Sequence, residues 1–159
     1  MTPKELLESI MVITAIHARR LESALSRCAS HFPINEEAFN SLDETELAFI
    51  EMMTSRFAKL QDICGQKIFP FLLKALEEDT EGKSFIDILN QIEKIGFIDD
   101  SHFWLELRKT RNSIAHEYPD NPQKMILALN DVYNDSKRLL TYWKRLEAQI
   151  QQKAFGASI

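Results

Sequence analysis

Apolar residues recur every three or four positions along most of this chain, and that spacing predicts helices joined by short polar connectors. Thr2-Pro3-Lys4-Glu5 opens the first. Thr2 serves as N-cap, Pro3 suits the first helical position and Glu5 completes a capping box. Leu6, Leu7, Ile10, Ile13, Ile16, Leu21 and Leu25, with Met11 and Ala15 beside them, carry this helix to about Ser30. His17, Arg19 and Arg20 lie along it, His17 as a surface or core-edge residue. The connector from His31 to Leu42 holds Phe32, Ile34 and Phe39, which predict that it is pinned to the core. Asp43 caps the next helix with Glu46 three residues on, and Leu47, Phe49, Ile50, Met53, Phe57, Leu60 and Ile63 point inward. Met52 and Met53 read as gap fillers.

Gly65 and Pro70 interrupt that pattern, but the apolar run from Ile68 to Leu76 continues past them, which predicts a kink or break without a domain boundary. Glu77 to Lys83 reads as an exposed loop. Ser84 caps a short helix with Ile86, Leu89, Ile92 and Ile95 on one face, ended by Gly96. Asp99-Asp100-Ser101 starts another, burying Phe103, Trp104 and Leu107. Asn121-Pro122 starts the last, which carries Met125, Leu129, Val132, Leu139, Leu140, Trp143, Leu146 and Ile150 to about Lys153. The expected fold is all-α: an antiparallel bundle of four long helices plus one or more short ones. One domain over residues 1–154 and a frayed tail over 155–159 complete the outline.

Composition narrows the picture further. With 159 residues, 45% apolar and 27% charged, the chain can bury one core, and four Gly and five Pro are few for an all-β fold. No apolar run reaches membrane-spanning length, and Lys4-Glu5-Leu6-Leu7-Glu8 lacks the order of a signal peptide. Cys28 and Cys64 have no metal-ligand spacing and read as reduced thiols, so a cytoplasmic protein without a membrane partner is expected. The net charge of −5 argues against a broad non-specific nucleic-acid surface. It leaves room for local basic groups, namely Arg108, Lys109 and Arg111, and Arg56, Lys59 and Lys67. A solvated helix face is the simpler account of either group. There is no Gly-rich phosphate loop, paired-His metal motif or Ser nucleophile elbow, so neither a metal nor a cofactor is expected.

The stretch that carries chemistry is Arg111-Asn112-Ser113-Ile114-Ala115-His116-Glu117-Tyr118, closed by Pro119. A guanidinium can stabilise charge developing on phosphate oxygens and an imidazole can move protons, a pairing suited to phosphodiester cleavage. The same residues near a helix C-terminus also cap carbonyls and favour the dipole. On a regular helix Arg111 and His116 stand about 140° apart in rotation, so they are not neighbours on one face. A two-fold axis would gather two of each into one cleft, which makes a homodimer part of the chemistry. Tyr118 precedes Pro119 and should be extended, lifting its hydroxyl away from the helix axis.

Arg111, four residues, His116, one residue, Tyr118 resembles the Arg-x4-His-x-Tyr motif of HepT-type toxins of the HEPN superfamily of helical domains, and Arg111, Asn112 and His116 match its Arg-Asn-x3-His form. The resemblance implies a metal-independent endoribonuclease acting as a homodimer with its active site at the interface. It gives Arg111 the pentavalent transition state, His116 general acid–base work and Asn112 the orientation of the phosphate or the His. Tyr118 would sit at the cleft, and an adjacent nucleotidyltransferase antitoxin of the MNT type would silence the toxin by transferring AMP to it. Arg108 and Lys109 are weaker candidates for RNA binding. An RNA 2′-hydroxyl can attack its own phosphate once deprotonated, so this mechanism predicts RNA cleavage with DNA spared. Two other readings stand beside it: a non-catalytic HEPN-like module that binds a nucleotide, an RNA or a partner nucleotidyltransferase, and a structural dimer in which the motif only caps a helix.

Overall fold

A computed structural model describes residues 1–114 and 120–156, and among these the chain is all-helical, with no strand. The helices are α1 (Pro3–Cys28), α2 (Glu36–Asn40), α3 (Glu44–Ile63), α4 (Phe69–Ala75), α5 (Phe85–Lys94), α6 (Ser101–Ile114) and α7 (Pro122–Lys153). No helix among the described residues is long and apolar enough to cross a membrane.

Helix starts follow the local chemistry of the chain. Thr2 with Glu5, Asp43 with Glu46 and Ser84 with Asp87 each form a capping box, in which side chain and backbone satisfy two otherwise unpaired N–H groups. At the start of α7 the Asn121 side chain accepts from the Lys124 N–H and Pro122 occupies the first turn. Gly96, with φ of 88°, ends α5: its N–H donates to the Glu93 carbonyl and the Phe97 N–H to the Ile92 carbonyl. The segment around Gly65 does not break. Cys64–Ile68 forms a π-helical turn that joins α3 to α4 and leaves Pro70 in the first turn of α4, where its missing N–H costs little.

The core is one contiguous cluster drawn from α1, α3, α4, α5, α6 and α7, with Trp104, Phe57 and Phe69 among its largest fully buried side chains. α1 lies along α3 and meets α4 and α7, while α6 packs on α7 and α3. Several inward assignments change. Ile13 and Ile16 are exposed, and Thr14 takes a core place with its hydroxyl donating to the Ile10 carbonyl at 2.7 Å. The run from Ile10 to Ile16 is apolar around most of the helix, so periodicity alone could not pick its buried side. On α5 Leu89 and Ile92 are buried as expected and Ile88 joins them, whereas Ile86 faces outward. Ala154 is buried and Phe155, expected in a frayed tail, packs against the core; residues 157–159 of that tail lie outside the described residues.

The connector before α3 contains α2 and is pinned as expected. Phe32 stacks on Tyr133 at 4.5 Å between ring centroids. The Asn130 carbonyl oxygen accepts from the Ile34 N–H, and its amide donates to the carbonyls of Ile34 and Ile126. Asn130→Ala removes all three bonds and leaves the Ile34 N–H and carbonyl without their side-chain partner. A loss of about 1–3 kcal/mol is expected, measured as a lower urea midpoint at unchanged slope.

Candidate functional site

Arg111 stands in the last turn of α6 and reaches across to α3. Its Nε and Nη2 donate to the two carboxylate oxygens of Asp62, each at 2.9 Å, in a bidentate pair. Both side chains are about one-third exposed, at 27% for Arg111 and 34% for Asp62. That bond keeps the guanidinium charged and raises its pKa against the opposing effect of burial. The two residues are 49 positions apart, and nothing in the local pattern of either helix signals the pairing.

Around this pair lies a cavity of about 460 Å³ lined by Gln61, Asp62, Gly65, Gln66, Phe85, Arg108, Arg111 and Asn112. Gly65 in the π-helical turn forms part of its floor. A Cβ there would come within 3.3 Å of Trp104 Nε1 and 3.4 Å of the Phe85 ring, so glycine keeps the turn close to Trp104. Arg108 lies over the Phe85 ring at 4.6 Å, a cation–π contact that holds its guanidinium at the cavity edge. Asn112 is exposed.

The structure thus brings Arg108, Arg111 and Asn112 to one polar cavity, whereas Lys109 lines a different one with Glu106, Thr110, Ser113, Asp131, Asp135 and Arg138. His116 and Tyr118, with Glu117 and Pro119, lie outside the described residues, which stop on this side of the motif at Ile114. Sequence reasoning missed Asp62, Gln61, Gln66 and Phe85. Gln61 is a polar residue beside the inward Leu60, and the structure buries it to 4% exposure.

In the second basic group, Arg56 and Lys59 both lie near His17. Arg56 donates from Nη1 to His17 Nδ1 at 2.9 Å, so His17 is neutral at that nitrogen and carries its proton on Nε2. Burial first, then the charges of Arg56 and Lys59, hold the imidazole below its ordinary value of 6.5. The native state therefore takes up fewer protons than the unfolded chain as pH drops. The contribution of His17 is complete above pH 6.5 and is lost as pH falls below it. Urea midpoints measured through this range should fall further for wild type than for His17→Gln.

Among the described residues no group of three or more His, Cys, Asp or Glu side chains is placed to hold a metal ion. Cys28 and Cys64 are free and buried. Burial pushes the Cys28 thiol up to about 11 and Cys64 higher still, so neither is a nucleophile at neutral pH. No family model, curated protein or solved structure matches this chain.

Proposed function

We propose that this protein is a metal-independent endoribonuclease of HEPN type, the toxin of a toxin–antitoxin pair. The observation that supports the reading is the Arg111 cavity: a guanidinium fixed by Asp62, with Asn112 and Arg108 at the same opening. The chain runs from there directly into the segment containing His116 and Tyr118. With Nε and Nη2 committed to Asp62, Arg111 retains Nη1 for a phosphate oxygen. Such a pre-oriented donor costs little reorganisation when charge develops on the phosphoryl group. In this reading His116 moves the 2′-hydroxyl and leaving-group protons, and Asn112 orients the phosphate.

The fold would be an antiparallel HEPN-like bundle, cytoplasmic, without cofactor, whose homodimer gathers two copies of the motif in one cleft. An MNT-type nucleotidyltransferase would be its antitoxin, with Tyr118 as the residue that accepts AMP. The test is cleavage of RNA by the purified protein in EDTA, comparing wild type with Arg111→Ala and His116→Ala. Each substitution should lower the rate about 10²–10⁴-fold while the helical signal and thermal midpoint show a folded chain. Equal cleavage by all three proteins sinks the assignment.

A second reading has its own support. It is a non-catalytic HEPN-like module that binds a nucleotide, an RNA or a partner nucleotidyltransferase. The Asp62 carboxylate, which neutralises Arg111, favours its lack of turnover, and the net charge of −5, which opposes a polyanion, favours its nucleotide and protein partners. RNA bound without turnover by wild type selects this reading.

A further inference from the structure

The exposed side of α1 has an order that the fold does not use. Val12 is 61% exposed, Ile13 51% and Ile16 37%. These three, with Glu5, Ser9 and Arg20, make a stripe about 100° wide. It lies opposite the buried face formed by Leu7, Met11, Thr14, Ala18 and Leu25. Its apolar centre is flanked by carboxylates at the N-terminal end, Glu5 and Glu8, and by guanidinium groups at the C-terminal end, Arg19 and Arg20. Among the described residues none pairs with Glu8, Arg19 or Arg20, and Glu5 accepts only from the Thr2 N–H.

We propose that this stripe is a self-complementary contact at which α1 of one chain packs antiparallel on α1 of a second copy, about a two-fold axis between residues 12 and 13. That register places Val12 against the partner's Ile13 and the small Ser9 against the partner's Ile16. It sets Glu5 against the partner's Arg20, and the symmetry supplies each contact twice. Over the about 22 Å between residues 5 and 20, unlike charges meet at both ends. A parallel pairing would set Glu on Glu and Arg on Arg, so charge selects the antiparallel arrangement. No stripe residue lines the Arg111 cavity, and the contact stands whether or not the protein cleaves RNA.

One helix pair buries less than the roughly 1,200 Å² of a standard interface, so the contact forms in the micromolar range and weakens with salt. Molar mass measured by light scattering across concentration provides the test. Ile13→Glu/Ile16→Glu should weaken association at least about tenfold, because like charges then meet across the axis. Glu5→Arg and Arg20→Glu should each weaken it, and the double variant, which restores unlike pairs, should return to near the wild-type constant. All the altered side chains are on the surface, and circular dichroism checks that each variant is folded. Wild type that stays monomeric at about a hundred micromolar overturns the contact. So does association unchanged in Ile13→Glu/Ile16→Glu, as a dimer held only through the Arg111 face would give. A double charge variant no better than its singles overturns the register, and with it the proposal.

Discussion

Trp104→Ala is expected to destabilise the fold by about 3–5 kcal/mol, the range for truncating a fully buried aromatic. Trp104 has no exposed surface. It meets Phe69 edge-on at 4.9 Å and Tyr142 at 5.8 Å between ring centroids. Gly65 faces it from the π-helical turn, and a residue with no side chain has little to move into the space left behind. No described residue accepts a hydrogen bond from the indole N–H, and the expected loss is reckoned from packing and cavity formation. For a chain of this size the effect corresponds to a drop of roughly 6–20 °C in Tm. Trp104→Phe, which keeps most of the volume, should lose much less. A loss below about 1 kcal/mol for Trp104→Ala would show that the helices repack freely around the site.

Asp62→Ala is expected to lower RNA cleavage about 10–100-fold while costing only about 1 kcal/mol of stability. The carboxylate touches no reacting atom in this account. It is a positioning residue that fixes the plane of the Arg111 guanidinium through two parallel bonds. Without it Arg111 samples other rotamers, and a displacement of about 1 Å at the phosphate is enough for a loss of this size. The small stability cost follows from exposure, since a pair about one-third open to water is partly screened. Asp62→Asn retains one acceptor for Arg111 Nε and should fall between wild type and Asp62→Ala. A purely structural ion pair behaves differently: Asp62→Ala and Arg111→Ala would then lower the urea midpoint by similar small amounts and leave cleavage unchanged.

Local signals were legible in the sequence and non-local ones were not. Thr2, Asp43 and Asn121 mark helix starts through bonds spanning three residues, so the order of side chains carries the whole instruction. Gly96 marks a stop for the same reason. The outward turn of Ile13 and Ile16 depends on which helices cover α1, and a run apolar on most sides holds no record of that choice. The Arg111 stretch was visible as residue types with a shared chemistry, and its link to Asp62 was not. That carboxylate sits at an ordinary position about one-third exposed, and only the packing of α6 on α3 brings it within bonding distance.

The most direct measurement of the ribonuclease assignment uses one RNA oligonucleotide that the wild-type protein is found to cut in EDTA. It is compared with the same strand carrying a single 2′-deoxy nucleotide on the 5′ side of the scissile phosphate, with product ends read by mass. Attack by the 2′-hydroxyl predicts cutting of the RNA with a 2′,3′-cyclic phosphate end, and no cut at the 2′-deoxy position. Equal cutting of both strands, or a failure of wild type at its unmodified mass to cut any RNA offered in the search for that oligonucleotide, would contradict the account.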